Sequence, residues 1–262
     1  MKNYKEELKI LSIGNSFSVD TMEHVANIAL SLGVKKIKLG NLYIGGCSIN
    51  MHFRNAENDA PNYTYYTNSG DGWSEIPSFK ISDAVKSENW DIISIQNGSG
   101  DGSRYSDPKS YEKLSALIDY VRSLAWQGVK IAFNMTWVAE PTHDHHELVF
   151  YGGDQILTYK MIAETTKNTV LPTNGLDILS PVGTAVQNAR TAGLPTLLTR
   201  DGYHLSYSLG RYTAGLTFLK ALTGCDIGNV EWVPEGVSKK EKAIAVSAAL
   251  AAVDSPFDIT KI

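Results

Sequence analysis

A serine follows the first strand-like segment of the sequence. Residues 8–13 are mostly apolar and end at Gly14, and Asn15 and Ser16 come directly after it. A serine between a strand and a helix can expose its hydroxyl at the edge of a sheet. Its own N–H then lies near a helix N-terminus, which favours developing negative charge. Ser16 is therefore a candidate nucleophile, although such a short pattern also occurs in ordinary strand–helix turns.

A second chemical pattern lies late in the chain. Asp201 precedes His204 by three residues within the segment D-G-Y-H-L-S. At that spacing a carboxylate can hydrogen-bond an imidazole in a tight loop, fix its tautomer, and leave the other ring nitrogen free to accept a proton from a serine. His204 is a candidate base and Asp201 its orienting carboxylate. The alternative is a surface loop with a solvated Asp and an incidental His.

Together the two segments resemble the SGNH (GDSL-type) hydrolases, a family that includes many carbohydrate and lipid esterases. The first block of that family reads G-D-S or G-N-S after the first strand, which is similar to Gly14, Asn15 and Ser16. Its last block reads D-x-x-H, often D-G-x-H, which is similar to the segment from Asp201 to His204. The resemblance implies a serine esterase with Ser16 as nucleophile, His204 as base and Asp201 as the carboxylate that orients it.

The resemblance also implies how an oxyanion would be held. The family places a glycine after the second strand, here Gly46, whose N–H would act beside that of Ser16. The third family block, G-x-N-D, is altered, because this sequence reads Q-N-G-S-G-D. Gln96 or Asn97 would supply the amide donor, and the sequence leaves both open. Loss of one such donor costs about 3 kcal/mol of transition-state stabilisation in other enzymes.

Further polar and aromatic side chains are candidates for substrate binding. His52 follows the glycine turn of the second block, Trp137 ends a strand-like run, and Tyr203 stands beside the candidate base. The segment 62–80 holds four more aromatic residues: Tyr63, Tyr65, Tyr66 and Trp73. They could form a sugar-stacking wall, or they could be packing residues, as aromatic rings on an added hairpin often are.

A metal or nucleotide cofactor is not expected. The segment 141–147 contains His143, His145 and His146 together with an Asp and a Glu. Such residues can bind metals, but neighbours in one loop rarely converge on one ion, so we predict a polar loop near the pocket rim and no metal site. The sequence has no glycine-rich phosphate-binding motif next to a strand, which argues against nucleotide cofactors.

Composition limits the partners. The 262 residues include 24 Lys and Arg against 28 Asp and Glu, a net charge of −4, so the cation surplus of nucleic-acid-binding proteins is missing. No apolar run approaches the roughly 20 residues of a membrane helix. The N-terminus lacks a signal-peptide pattern, which predicts a cytoplasmic protein, or a periplasmic or secreted one if a signal was removed. The oligomeric state stays open.

Strand-like and helix-like segments alternate along most of the chain. Strands are predicted at 8–13, 37–44, 91–96, 129–137 and 194–198, with a hairpin at 62–80. Helices are predicted at 21–32, from about 48, and at 108–126, 153–166, 180–192, 207–222 and 239–253. Asp20 is the predicted N-cap of the first helix, and Ser180 that of the helix at 180–192.

This alternation indicates one α/β domain over residues 1–262, a three-layer α/β/α sandwich around a mainly parallel sheet. The resemblance implies the flavodoxin-like fold of SGNH hydrolases. In such sheets ligands bind beyond the carboxyl ends of the strands, so Ser16 and His204 are expected to meet at that edge.

The leading hypothesis is a serine esterase or deacylase acting through an acyl-enzyme. Its partner would be a small-molecule or glycan ester, and an O-acetylated carbohydrate is the favoured substrate class. One alternative is a catalytically weak glycan-binding module on the same scaffold, which the altered third block supports. The other is an acyltransferase that uses the same three residues.

Overall fold

One seven-stranded sheet organises the molecule, and the computed structural model describes residue 4, residues 6–194 and residues 198–262. The strands are β1 (Leu8–Gly14), β2 (Ile37–Tyr43), β3 (Tyr63–Asn68), β4 (Trp73–Phe79), β5 (Ile92–Ile95), β6 (Lys130–Asn134) and β7 (Ile178–Ser180). Their order is β4–β3–β2–β1–β5–β6–β7. β3 and β4 form an antiparallel hairpin on the edge of β2, and the other neighbouring pairs are parallel.

Helices cover both faces of the sheet. They are α1 (Ser16–Met22), α2 (Val25–Ser31), α3 (Ile49–Glu57), α4 (Ile81–Lys86), α5 (Leu114–Leu124), α6 (His146–Phe150), α7 (Gln155–Thr165), α8 (Val182–Arg190), α9 (Leu209–Thr223) and α10 (Lys239–Asp254). The predicted three-layer α/β architecture is thereby confirmed. Among the helices that the structure describes, none is long and apolar enough to cross a membrane.

Two hydrophobic cores lie on opposite faces of the sheet. Successive side chains of a strand point to opposite faces, so Leu8 and Ile10 enter the core under α1, α2, α9 and α10, whereas Leu11 and Ile13 enter the core under α3, α4 and α5. All four side chains are fully buried. Burial of each such side chain stabilises the fold by about 1.5–3 kcal/mol.

The start of the first helix differs from the prediction. Helix α1 begins at Ser16 and not at residue 21, and its N-cap is Asn15, whose Oδ1 accepts the N–H of Phe17 at 2.9 Å. The predicted N-cap Asp20 lies inside α1 and is fully buried. Asparagine is among the strongest N-cap residues, and here it stands one position before the chain turns into the helix.

Other segments differ at their ends. The predicted helix 108–126 begins as a 3₁₀ turn at Pro108–Tyr111 before α5 starts. Ser180 ends β7, so Pro181 takes the N-cap position of α8 and the predicted cap is wrong. Strand β7 has only three residues, too few to show a periodic pattern. Of the predicted strand 194–198, residues 195–197 lie outside the described part of the chain.

Candidate active site

The structure brings Ser16, His204 and Asp201 together beyond the carboxyl end of β1. Ser16 Oγ lies 3.0 Å from His204 Nε2, and His204 Nδ1 lies 2.7 Å from Asp201 Oδ2. A carboxylate only accepts hydrogen bonds, so Nδ1 carries the proton that is donated to Asp201, and in the neutral ring Nε2 accepts from the Ser16 hydroxyl. The arrangement can transfer a proton from the serine to the imidazole.

The Asp201 carboxylate is held by its own loop. Its Oδ1 accepts the backbone N–H groups of Tyr203 at 2.9 Å and His204 at 2.7 Å. Burial tends to raise the pKa of Asp201, but the hydrogen bonds from the His204 ring and these N–H groups outweigh it and lower the pKa to about 2. The carboxylate therefore stays ionised throughout the pH range in which imidazoles titrate.

Asn15, next to the candidate nucleophile, joins three loops. Besides capping α1, it donates from Nδ2 to the carbonyl oxygens of Cys47 at 3.1 Å and Asn97 at 3.0 Å. These carbonyls belong to the loops after β2 and β5. This role has no signal in the sequence: an Asn before a helix suggests a cap, but the two acceptors lie 32 and 82 positions away.

Glycines let the loops after β2 and β5 touch. Gly46 has φ +64°, a left-handed conformation that glycine tolerates best, and its carbonyl oxygen accepts the N–H of Gly100 at 2.7 Å. At Gly98 a Cβ would overlap the carbonyl oxygen of Cys47. The predicted oxyanion residue Gly46 therefore lies in a backbone wall built from both loops.

The two amide candidates after β5 have different surroundings. Asn97 Oδ1 accepts the N–H of Ile49, the first residue of α3, and that of Gly98, both at 3.0 Å. Gln96 is 1% exposed, and neither of its amide atoms has a hydrogen-bond partner among the described residues. Its Oε1 lies 3.5 Å from the position that a Cβ on Gly14 would take, on the sheet face that α1 covers. The Asn97 oxygen is thus committed to the backbone, whereas Asn97 Nδ2 and both amide atoms of Gln96 have no hydrogen-bond partner among the described residues.

Asp20, which the sequence suggested only as a helix cap, links the helix of Ser16 to the loop of His204. Its fully buried carboxylate accepts from Arg200 Nη1 at 2.9 Å, Arg211 Nε at 2.8 Å and the N–H of Leu205 at 2.8 Å. Its partners lie about 180 positions later, on both sides of His204. No local pattern in the sequence could reveal this contact.

The first of the three predicted substrate-binding side chains, His52, does not reach the surface. It is fully buried on α3, where its Nδ1 lies 2.7 Å from Tyr63 Oη and 3.3 Å from Cys47 Sγ. Burial lowers the pKa of His52 to about 3, so the ring is neutral. The structure places it in the core, behind the loop of Gly46, where it cannot reach a substrate.

Trp137 is buried as well and supports Tyr203. The Trp137 ring stacks on Phe17 with centroids 4.0 Å apart, and its Nε1 donates to the carbonyl oxygen of Tyr203 at 2.8 Å. Tyr203 itself is half-buried, with its ring centroid 5.0 Å from that of His204. Tyr203 is therefore the predicted substrate-binding residue that lies next to the triad, the name used below for Ser16, His204 and Asp201.

The histidine-rich loop packs beside Tyr203. Glu147 donates its N–H to His145 Nδ1 at 3.3 Å, so His145 Nε2 carries the ring proton and donates to Ser99 Oγ at 3.1 Å. Burial, together with His146 and His143, lowers the pKa of His145 to about 4. Within the described residues no three His, Cys, Asp or Glu side chains are arranged to hold a metal ion.

Comparison with known proteins gives the family. Residues 9–252 match the model of the domain of unknown function DUF4886. The chain belongs to the DUF4886 family. A crystal structure of a DUF4886 family protein from Bacteroides uniformis ATCC 8492 is 33% identical to it, with a TM-score of 0.91 over 98% of both chains.

A second solved structure is less similar to this DUF4886 chain. It is LAE5, an alpha/beta hydrolase enzyme from the metagenome of Lake Arreo, Spain, with 13% identity and a TM-score of 0.49 over 85% of this chain and 99% of that one. The comparison with curated proteins finds no match.

The aromatic hairpin of the DUF4886 chain divides its rings between two faces. Tyr63 and Tyr65 are buried in the core that contains α3, α4 and α5. Tyr66 and Trp73 are half-buried and face a groove beside α1. The first pair are thus packing residues, whereas the second pair form an accessible surface.

Proposed function

We propose that the protein is a serine esterase of the SGNH type that hydrolyses carboxylic esters through an acyl-enzyme. The observation that carries the proposal is the continuous hydrogen-bonded chain from Ser16 Oγ through the His204 ring to the Asp201 carboxylate. A positioned general base of this kind contributes a factor of about 10²–10⁴ in rate.

The reaction has two stages. Ser16 Oγ bonds to the ester carbonyl carbon while its proton passes to His204 Nε2, and the imidazolium is stabilised by Asp201. The carbon–oxygen bond to the alcohol then breaks, and the Nε2 proton goes to the leaving oxygen. In the second stage His204 Nε2 takes a proton from water, whose oxygen attacks the acyl carbon. The bond from that carbon to Ser16 Oγ then breaks as the Nε2 proton returns to Oγ, which releases the acid.

The oxyanion of each tetrahedral intermediate needs donors that are already in place. We assign the N–H groups of Ser16 and Gly46 and the side-chain amide of Gln96. The NH₂ groups of Gln96 and Asn97 both lack a partner among the residues that the structure describes. We favour Gln96 because its oxygen is also unpartnered and leaves the side chain free to orient, whereas two backbone N–H groups fix the Asn97 oxygen. Each such donor is worth about 2.7–4 kcal/mol to the transition state.

The proposed substrate class is an O-acetylated carbohydrate. The SGNH branches that the sequence resembles include sugar esterases. The partly exposed Tyr203 ring lies beside His204, and the Ser99 hydroxyl, which accepts from His145, lies 3.5 Å from the Tyr203 hydroxyl. These are groups that bind sugars better than lipid chains.

Turnover of 4-nitrophenyl acetate tests the proposal. The wild type should release nitrophenol, Ser16→Ala should reduce kcat/KM by at least 10³-fold, and Ser247→Ala, a matched change on the exposed side of α10, should leave it unaltered. A fluorophosphonate probe should label Ser16, as read by peptide mass spectrometry. Absence of turnover, full activity of Ser16→Ala, or labelling of another serine would each refute the assignment.

A further inference from the structure

We infer that a groove between α1 and the β3–β4 hairpin is a saccharide subsite next to the triad. The inference rests on the proposed function for the claim that the bound sugar carries the ester that Ser16 attacks. The groove has a volume of about 240 Å³, and its lining residues are Val19, Glu23, Asn41, Tyr66 and Trp73. Pockets for drug-sized ligands hold about 300–1,000 Å³, so this groove suits one monosaccharide ring.

The aromatic side of the groove comes from the hairpin. Tyr66 on β3 pairs with Asn41 on the neighbouring strand β2, and their side chains share a face of the sheet. Trp73 on β4 faces the same groove, with its Nε1 donating to the carbonyl oxygen of Glu23 at 3.4 Å. Two half-exposed rings fixed by backbone pairing and by a hydrogen bond offer the flat apolar surface on which the C–H face of a pyranose packs.

The polar side of the groove supplies both a donor and an acceptor. Asn41 is 2% exposed, and its Oδ1 accepts from Ser18 Oγ at 2.8 Å. Its Nδ2 makes no hydrogen bond with any described residue and is therefore available to donate to a ligand. The Glu23 carboxylate pairs with Arg211 Nη1 at 3.1 Å and remains 32% exposed. An amide donor and a carboxylate acceptor are what sugar hydroxyl groups require.

Two parts of the structure connect the groove with the triad: helix α1 and the aromatic wall of the hairpin. Val19 follows Ser16 by three residues on α1, so the two side chains share a helix face about 4.5 Å apart along the axis. On the hairpin side, Tyr43 continues the aromatic wall, with its ring centroid 6.0 Å from that of Tyr66. The Tyr43 hydroxyl lies 3.4 Å from the position of a Cβ on Gly45, beside the proposed oxyanion loop. A ring in the groove would therefore have its ester group next to Ser16.

A binding experiment tests the subsite without using catalysis. The full chain carrying Ser16→Ala is titrated with a panel of methyl pyranosides, and the indole N–H signal of Trp73, assigned with Trp73→Phe, is followed by NMR. At least one pyranoside should shift this signal saturably. Tyr66→Ala should weaken that binding at least 10-fold, and Tyr66→Phe, which keeps the ring, should restore it. Ile76→Ala, a change on the same hairpin facing away, is the control. No saturable shift with any pyranoside would overturn the inference.

A kinetic comparison tests the link to the triad. For the wild type and Tyr66→Ala, kcat/KM is measured on mono-O-acetylated methyl pyranosides and on 4-nitrophenyl acetate. The ratio of the two values should fall at least 10-fold in Tyr66→Ala, about 1.4 kcal/mol, and mainly through KM. An equal loss on both substrates would mean a structural role and would overturn the subsite. Pyranoside binding without ester turnover by the wild type would instead refute the proposed function and leave the subsite standing.

Discussion

Single hydrogen bonds distinguish the two amides that follow β5. Both Gln96 and Asn97 are buried and carry the same functional group, so the sequence cannot separate them. In the folded chain the Asn97 oxygen satisfies the N–H groups of Ile49 and Gly98, whereas neither amide atom of Gln96 has a partner among the described residues. Asn97 therefore holds the loop to α3 through its oxygen, and Gln96 is the amide that has no such structural task.

Substitution of each amide should give a different outcome. Gln96→Ala should lower kcat for 4-nitrophenyl acetate by about 10²–10³-fold with little change in the free energy of unfolding, because it removes a proposed oxyanion donor. Asn97→Ala should lower the free energy of unfolding by about 2 kcal/mol, because two backbone N–H groups lose their acceptor. Steady-state kinetics and urea unfolding measure both effects, and a reversed pattern would show that the amides are assigned the wrong way round.

The relative position of α1 and the loop of His204 sets the distance between the Ser16 hydroxyl and the His204 ring. The loop does not extend a strand of the sheet: Thr199 and Leu205 form an isolated antiparallel bridge that closes it. Asp20 on α1 accepts from Arg200 and from the N–H of Leu205, on the two sides of the loop. The distance from Ser16 to His204 therefore depends on a carboxylate that takes no part in the reaction.

Asp20→Asn should weaken this connection. The variant keeps the shape of the side chain but leaves two arginines without their buried counter-charge, so the free energy of unfolding should fall by about 3 kcal/mol. At temperatures where the variant is fully folded, kcat/KM for 4-nitrophenyl acetate should still be at least 10-fold lower, since misplacement by about 1 Å can cost 10²-fold. The control is Asp59→Asn, which changes an exposed ion pair with Lys80. Unchanged kinetics in folded Asp20→Asn would contradict the positioning role.

At the scale of the whole molecule, the two cores differ in what they bury. The core that contains α3 also holds His52, a titratable side chain with 0% exposure next to Tyr63 and Cys47. Burial lowers its pKa from the ordinary value of 6.5 to about 3. The unfolded chain therefore binds a proton on this residue below pH 6.5, whereas the folded chain does so only near pH 3.

Stability should consequently fall as the pH is lowered from 6.5 towards 3, because the unfolded state binds more protons in that window. His52→Gln removes this contribution. Between pH 6.5 and pH 4 the free energy of unfolding of the wild type should therefore fall by about 2–3 kcal/mol more than that of His52→Gln. Urea unfolding at a series of pH values measures it, with His146→Gln at an exposed position as control. A difference that does not vary with pH would mean that folding leaves the pKa of His52 unchanged.

Local signals in the sequence were sufficient for most of the fold. The alternation of apolar residues predicted the parallel strands β1, β2, β5 and β6, and Ser48 and Gly33 mark helix ends where short-range capping and a positive φ act. The two short motifs also named Ser16, Asp201 and His204, because chemistry of this kind demands particular residue types at particular positions. These features depend on neighbours within a few residues, so they can be recognised in the amino-acid sequence alone.

Only the tertiary structure decided which side chains face the site. It buried His52 and Trp137, separated Gln96 from Asn97, and gave Asp20 partners about 180 positions away. Each of these outcomes depends on the direction of a side chain relative to the sheet and on a contact between distant segments. A shift of one residue in strand register reverses such directions, so spacing along the chain cannot specify them.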